Sequence, residues 1–138
     1  MKFTRNASAN WKGGGKDGKG SLTTDSTVLN RTPYSFGTRF ENEKGTNPEE
    51  LIAAAHSGCF TMQLSFLLVE EGYTATNLDT SAKVTFEDGS IVKIDLNLKG
   101  DVPNISEDEF KSIAEKAKAI CPISKLLNTE ITLATVLV

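Results

Sequence analysis

The stretch Asn47-Pro-Glu-Glu-Leu-Ile-Ala-Ala-Ala-His-Ser-Gly-Cys-Phe-Thr-Met-Gln-Leu-Ser-Phe-Leu-Leu-Val69 leaves this chain few ways to fold. From Leu51 to Val69 it is apolar on nearly every side, and an α-helix of that character has to be buried. Asn47 is a good N-cap, and Pro48 suits the first helical position, where its missing N–H would be unpaired in any case. Glu50, three residues beyond the cap, completes a capping-box-like start, and Glu70-Glu71-Gly72 ends the run. The length approaches the roughly 20 residues that cross a bilayer. It nevertheless contains His56, Ser57, Gly58, Thr61, Gln63 and Ser65, so a buried core helix with no membrane partner is the expectation. Met1-Lys-Phe-Thr-Arg-Asn offers neither an apolar segment nor a small-residue cleavage site, which points to a cytoplasmic protein.

With 138 residues, of which 38% are hydrophobic, the chain reads as one domain over 1–138 with room for a sizeable core. A net charge of −3 gives no electrostatic case for nucleic acid. Lys12, Lys16 and Lys19 form the only basic cluster, and they sit in a glycine-rich stretch with no interleaved aromatics. Within that stretch Gly13, Gly15 and Gly18 match the dinucleotide glycine spacing, and Gly13 to Gly18-Lys19 nearly match a P-loop. Both motifs require a helix to follow, whereas Ser21 to Val28 is strand-like and the P-loop hydroxyl position is Gly20. A hairpin turn over 13–20, following a weak strand pattern over 2–11, is the expected structure.

Asn30 to Tyr34 reads as a second turn, and Phe36-Gly-Thr-Arg-Phe40 as a short strand with both phenylalanines on one face. Over 78–99 the alternation is clear: Leu78, Thr80, Ala82, Val84 and Phe86, then Val92, Ile94, Leu96 and Leu98, separated by polar residues. A two-residue loop at Asp88-Gly89 would pair Val84 with Lys93 and join opposite faces, so the pattern predicts a three-residue connection that pairs Val84 with Ile94. Ser106-Glu-Asp-Glu109 opens a second helix whose core face carries Phe110, Ile113, Ala114, Ala117, Ile120 and Cys121. Pro122 should break it at Cys121 and restart a short helix through Leu127. Thr129 to Val138 reads as a strand apolar on both faces, hence interior or covered.

A cysteine inside an apolar helix is by default an inert hydrophobe, and burial raises its pKa. Cys59 departs from that default because Cys121, at a helix N-terminus where a thiolate is favoured, lies on a face that can meet it. A site of two thiols is one reading of this pair, and two buried inert thiols is the other. His56, three residues before Cys59, admits a cysteine hydrolase or acyltransferase, although nothing marks an oxyanion site or an orienting acid. Zinc held by His56, Cys59 and Cys121 lacks a fourth ligand and metal-type spacing, so no metal and no cofactor is expected. A non-enzymatic small-molecule binding module would use Phe36, Phe40, Phe60 and Met62 as an apolar pocket.

Asn30-x-x-Pro33-Tyr, Thr38-Arg39-Phe40, Lys44-Gly-Thr-Asn-Pro-Glu-Glu-Leu51, Ala54-Ala-His56-x-x-Cys59-Phe60 and Lys116-Ala-x-Ala-x-Cys121-Pro together resemble the osmotically inducible protein C and organic hydroperoxide resistance family, on its osmotically inducible side. The resemblance runs in order over essentially the whole chain. It implies an α+β fold, with antiparallel sheets around a long buried central helix, built as an intertwined homodimer with the active site at the subunit interface. It further implies a thiol-dependent peroxidase that reduces organic hydroperoxides and, less well, hydrogen peroxide. Cys59 would be the attacking cysteine, Cys121 the resolving one, and Arg39 with Glu49 the pair that activates the thiolate. An external dithiol, with a lipoyl protein implied by the family, would reopen the disulfide. One geometric consequence follows from the residues themselves: Glu49 and Cys59 are ten positions apart, roughly 15 Å along a continuous helix. Unless Arg39 bridges that distance or the helix breaks, the Arg39–Glu49 pair serving Cys59 is expected from a partner subunit.

Overall fold

Trp11 organises the first part of the chain. In the computed structural model, which describes residues 1–138, the chain forms two compact units, Met1–Leu51 and Ile52–Val138. The first begins as an antiparallel meander of β1 (Ala7–Lys12), β2 (Lys19–Thr24) and β3 (Thr32–Tyr34), in that order across the sheet. The glycine-rich stretch is the turn of the first hairpin, as expected: Trp11 pairs with Gly20, Lys12 with Lys19, and the Trp11 indole N–H donates to the Gly14 carbonyl at 3.1 Å. At Gly20 the space a Cβ would need is taken by the rings of Trp11 and Tyr34, which meet edge to face with centroids 5.3 Å apart. The stretch expected as a second turn is in part a strand, because Thr32–Tyr34 pairs with β2 from the sheet edge, where Pro33 is tolerated.

Phe36–Phe40 is a helix, α1, and not the expected strand. Residues four apart share a face in a helix as well as in a strand, so the two phenylalanines could not decide the matter. Ser35 decides it: its Oγ accepts from the Thr38 N–H at 3.2 Å, while Thr38 Oγ1 accepts from the Ser35 N–H at 2.9 Å, a reciprocal cap. No large apolar side chain of this unit is buried.

The long helix α2 (Pro48–Glu70) starts where expected, with the Glu50 N–H donating to Asn47 Oδ1 at 2.8 Å. Its burial is one-sided, which corrects the expectation of a helix covered all round. His56, Phe60, Leu64, Leu67 and Leu68 are buried. Met62, Phe66 and Val69 remain 63%, 60% and 62% exposed, and Ala55 and Gly58 lie open in the same stripe. These five positions fall within about 80° of the helix circumference. A single chain supplies cover for one face of α2 only.

That cover is a sheet of β4 (Asn77–Glu87), β5 (Ser90–Asp101) and β6 (Glu130–Leu137) together with α3 (Glu107–Ile120). Val84 pairs with Ile94 as predicted, but through a different device. The turn has only two residues, Asp88 and Gly89, both at positive φ (49° and 82°), and a bulge between Thr85 and Phe86 restores the register two residues later. The bulge leaves Val92 and Phe86 exposed and turns Ile91 toward the core. The sheet is mixed and not wholly antiparallel: β6 runs parallel to β5, since the helical crossover between them reverses the chain twice. β6 is an edge strand, not an interior one, and Val136 on its outer face is exposed. Ile120, expected in the core, is exposed at the end of α3.

Gly100 sits where β5 passes under α3, and a Cβ there would run into the Phe110 ring. Gly100→Ala is accordingly expected to destabilise the fold by about 1–3 kcal/mol through overpacking. Urea unfolding should read this as a lower midpoint at unchanged slope.

Candidate active site

Pro122 shapes the second half of the site. The residue before a proline avoids helical ψ, and Cys121 accordingly adopts φ −54° and ψ 124°, ending α3 and capping the five-residue helix α4 (Pro122–Leu126). This bend turns the fully buried Cys121 toward α2, where Cys59 lies half-buried between the buried face and the open stripe. The thiols belong to residues 62 apart in sequence, and the two sulfurs approach to 2.6 Å. Both cysteines are free. Burial pushes the Cys59 thiol pKa up and the Cys121 contact adds to the rise, while the backbone N–H of Ile123, in the first turn of α4, opposes it. Left to these neighbours Cys59 is a protonated, weak nucleophile.

Arg39, in the last turn of α1, and Glu49, in the first turn of α2, form a forked pair in the first unit. Nη2 stands 2.6 Å from Oε1, and Nε bonds both carboxylate oxygens at 3.1 and 3.2 Å. The Glu49 hydrogen bond raises the Arg39 pKa. Burial, the largest single influence, would raise that of Glu49, but the hydrogen bond and charge of Arg39 together with Glu49's own backbone N–H outweigh it and hold the carboxylate below its usual range. The result is a fixed guanidinium, planar and permanently charged, with one edge held by the acid.

His56 is fully buried and spans from α2 to α4: its Nε2 is 2.7 Å from Ser124 Oγ. Burial pushes its pKa down, which keeps the imidazole neutral. Nδ1 is buried with no partner. A bare acceptor costs less than a bare buried N–H, so the hydrogen bonding assigns the proton to Nε2 as donor to Ser124. The hydrolase reading needed His56 as a base on Cys59, and the ring is engaged elsewhere. Nor do the phenylalanines and Met62 gather into a pocket: Phe60 is in the core while Met62 points out from the opposite side of α2. No group of three or more potential metal ligands comes together.

A family model described as OsmC-like protein matches residues 41–136. The chain belongs to the OsmC-like protein family. It is 50% identical to Peroxiredoxin OsmC of Escherichia coli over 137 residues, 96% of each chain. It is 30% identical to organic hydroperoxide resistance protein OhrA of Bacillus subtilis, covering 87% of this chain and 88% of the relative. The crystal structure of an organic hydroperoxide resistance protein from Elizabethkingia anophelis superposes with a TM-score of 0.74 at 26% identity, over 98% of this chain and 96% of that one.

Against this OsmC-like background the four residues expected at the site fall into two contacts, Cys59 with Cys121 and Arg39 with Glu49. Two contributors escaped the sequence reading. Ser124 left a faint signal, three residues after Cys121 as His56 is three before Cys59. The Ile123 N–H left none, since any residue at that position supplies one.

Proposed function

We propose that this OsmC-like protein is a thiol-dependent peroxidase that reduces organic hydroperoxides to alcohols, and hydrogen peroxide less well, using Cys59 to attack and Cys121 to resolve. The observation that carries this reading is the 2.6 Å approach of two free thiols from distant parts of the chain, one partly open and one sealed in the core. The relative named Peroxiredoxin OsmC supports it. The Cys59 thiolate attacks the distal peroxide oxygen; the O–O bond breaks, the alcohol leaves with a proton, and Cys59 becomes sulfenic acid. Cys121 then attacks the Cys59 sulfur, expelling water and forming the disulfide, which an external dithiol, a lipoyl group in our reading, reopens by exchange. The apolar character of the chain around Cys59 favours bulky alkyl peroxides, at about 25 cal/mol for each Å² of apolar surface buried.

Cys59 needs a cation that its own neighbours lack, and the partner subunit's Arg39, steadied by Glu49, fits that need. Two features support a homodimer. The stripe from Ala55 to Val69 is apolar and uncovered, and the first unit buries no large apolar side chain of its own. The match to Peroxiredoxin OsmC runs over 96% of this chain and α2 runs unbroken through the boundary of the two units, which supports one domain over 1–138.

Intact mass of the reduced protein after one equivalent of cumene hydroperoxide tests the chemistry. Wild type should lose two hydrogens, Cys121→Ser should gain oxygen, and Cys59→Ser should not change. An unchanged wild type would refute the peroxidase reading and favour a binding module.

A further inference from the structure

We propose that the His56–Ser124 hydrogen bond is a positioning device for the resolving step, holding α4 and Cys121 against α2 while Cys59 carries oxygen. The inference rests on the assignment of Cys59 and Cys121 as attacking and resolving thiols.

Two side-chain contacts fasten the Cys121–Leu126 segment to α2, and they are successive rungs of one ladder. On α2, His56 lies three residues before Cys59; on the facing segment, Ser124 lies three residues after Cys121. Each step is about one helical turn, and the opposite signs fit segments running antiparallel. The Ile123 N–H that reaches Cys59 lies between the rungs. The rungs differ in what happens to them during turnover. The sulfur rung is rebuilt at every stage, from thiol contact to sulfenic acid to disulfide, and is opened again on reduction. The imidazole–hydroxyl rung contains no reacting atom and persists throughout.

α4 depends on that second rung. Five residues are too few for a helix to be stable by itself. None of its residues is buried, and its apolar contacts with the core come from Ile123, with Leu127 just beyond its end. His56, by contrast, is the one polar side chain in the fully buried core. With Nδ1 already lacking a partner, removal of the Ser124 hydroxyl would leave both ring nitrogens unsatisfied in a dry site. The ring would then seek water or another partner, and α4 would lose its polar anchor.

The chemical consequence is a change in partition at the sulfenic acid. Resolution joins Cys59–SOH to Cys121–SH, giving the disulfide and water. Over-oxidation joins Cys59–SOH to a second hydroperoxide, giving the sulfinic acid and an alcohol. The first is intramolecular, so its rate follows the effective concentration of the Cys121 sulfur at Cys59. The second is bimolecular and makes no use of the Cys121 sulfur. Loosening α4 therefore slows resolution relative to over-oxidation.

The test uses reduced full-length protein, wild type, Ser124→Ala and Ser124→Thr, each mixed with a concentration series of cumene hydroperoxide and read by intact mass. Loss of two hydrogens reports resolution and gain of two oxygens reports over-oxidation; both come from one sample and are insensitive to a modest change in stability. For Ser124→Ala the hydroperoxide concentration giving equal amounts of the two products should fall about tenfold. The rate of peroxide loss in the first turnover should change by less than the partition, because the Ile123 N–H on α4 is one of several influences on Cys59, and Ser124→Thr, which keeps the hydroxyl, should restore the wild-type partition. An unchanged partition in Ser124→Ala would overturn the proposal, and so would failure of Ser124→Thr to rescue or a parallel loss of first-turnover rate. A wild type that forms no disulfide would instead overturn the assignment of the two cysteines.

Discussion

Arg39→Ala should lower kcat/KM for cumene hydroperoxide by about 10²–10³-fold, the scale seen when one preorganised donor to a reacting anion is removed. Its effect on the melting temperature should be small. The reasoning starts at Cys59, whose thiol is pushed up by burial and by Cys121, with the Ile123 N–H as the only opposing contact. At neutral pH such a group is almost entirely protonated, and attack on a peroxide proceeds through the thiolate. A guanidinium held by Glu49 at 2.6 Å can reverse that balance without having to be ordered at the moment of reaction. The ion pair itself is partly open, with the Arg39 side chain 36% exposed, and pairs of that kind contribute about 0–1 kcal/mol to stability. Rate and stability should therefore separate. The pH profile supplies the sign: removing the cation raises the thiol pKa, so the rise of kcat/KM with pH should move to higher pH in Arg39→Ala. Arg39→Lys keeps the charge but loses the fork that grips Glu49, and should recover only part of the rate. Wild-type kcat/KM in Arg39→Ala at neutral pH would remove Arg39 from the mechanism.

What was legible in the amino acids depended on whether one local preference met no competitor. Asn47-Pro48 and Ser106-Glu-Asp-Glu109 start helices where expected because cap chemistry is local and unopposed. The break at Cys121-Pro122 follows from the local steric bias of a residue before proline, which met no competing contact. Phe36–Phe40 failed because a four-residue spacing suits both periodicities, and a serine one residue earlier settled the choice. The Asp88-Gly89 turn failed in a more instructive way. Hydrophobic register and turn chemistry disagreed, the reading let register win, and the chain satisfied both by inserting a bulge at Val92. Alternation along a strand cannot foresee an extra residue. Of the two readings for β6, interior or covered, the second holds, because apolar residues on two faces fit an edge strand partly covered by a helix as well as an interior one. At the site, the cysteines and the Arg39–Glu49 pair were legible by resemblance to a family, but Ser124 became visible only once Pro122 had turned α4 toward His56.

Phe66→Glu should produce the other large effect, loss of the dimer and of turnover together. In the proposed dimer a symmetric interface would use each residue twice, and full burial of a Phe side chain is worth about 1.5–3 kcal/mol, so two copies of Phe66 would contribute several kcal/mol to association. Placing carboxylates there would remove that gain and add the cost of desolvating two like charges. Phe66 is 60% exposed in the single chain and lies opposite the buried residues of α2, so the substitution leaves the core around Leu64, Leu67 and Leu68 intact. Light scattering after gel filtration should give twice the chain mass of 14.9 kDa for wild type and the chain mass itself for Phe66→Glu. Helical circular dichroism of the second unit should persist. Peroxidase turnover should fall with the dimer fraction and return in part as protein concentration is raised, since mass action restores association. That concentration dependence separates an interface role from a role in substrate binding, because loss of a substrate contact would not respond to enzyme concentration. If the partner subunit's Arg39 supplies the cation for Cys59, the monomer keeps both thiols 2.6 Å apart and still lacks the group that ionises the attacking one. A monomeric Phe66→Glu with full turnover would place the activating cation within the same chain.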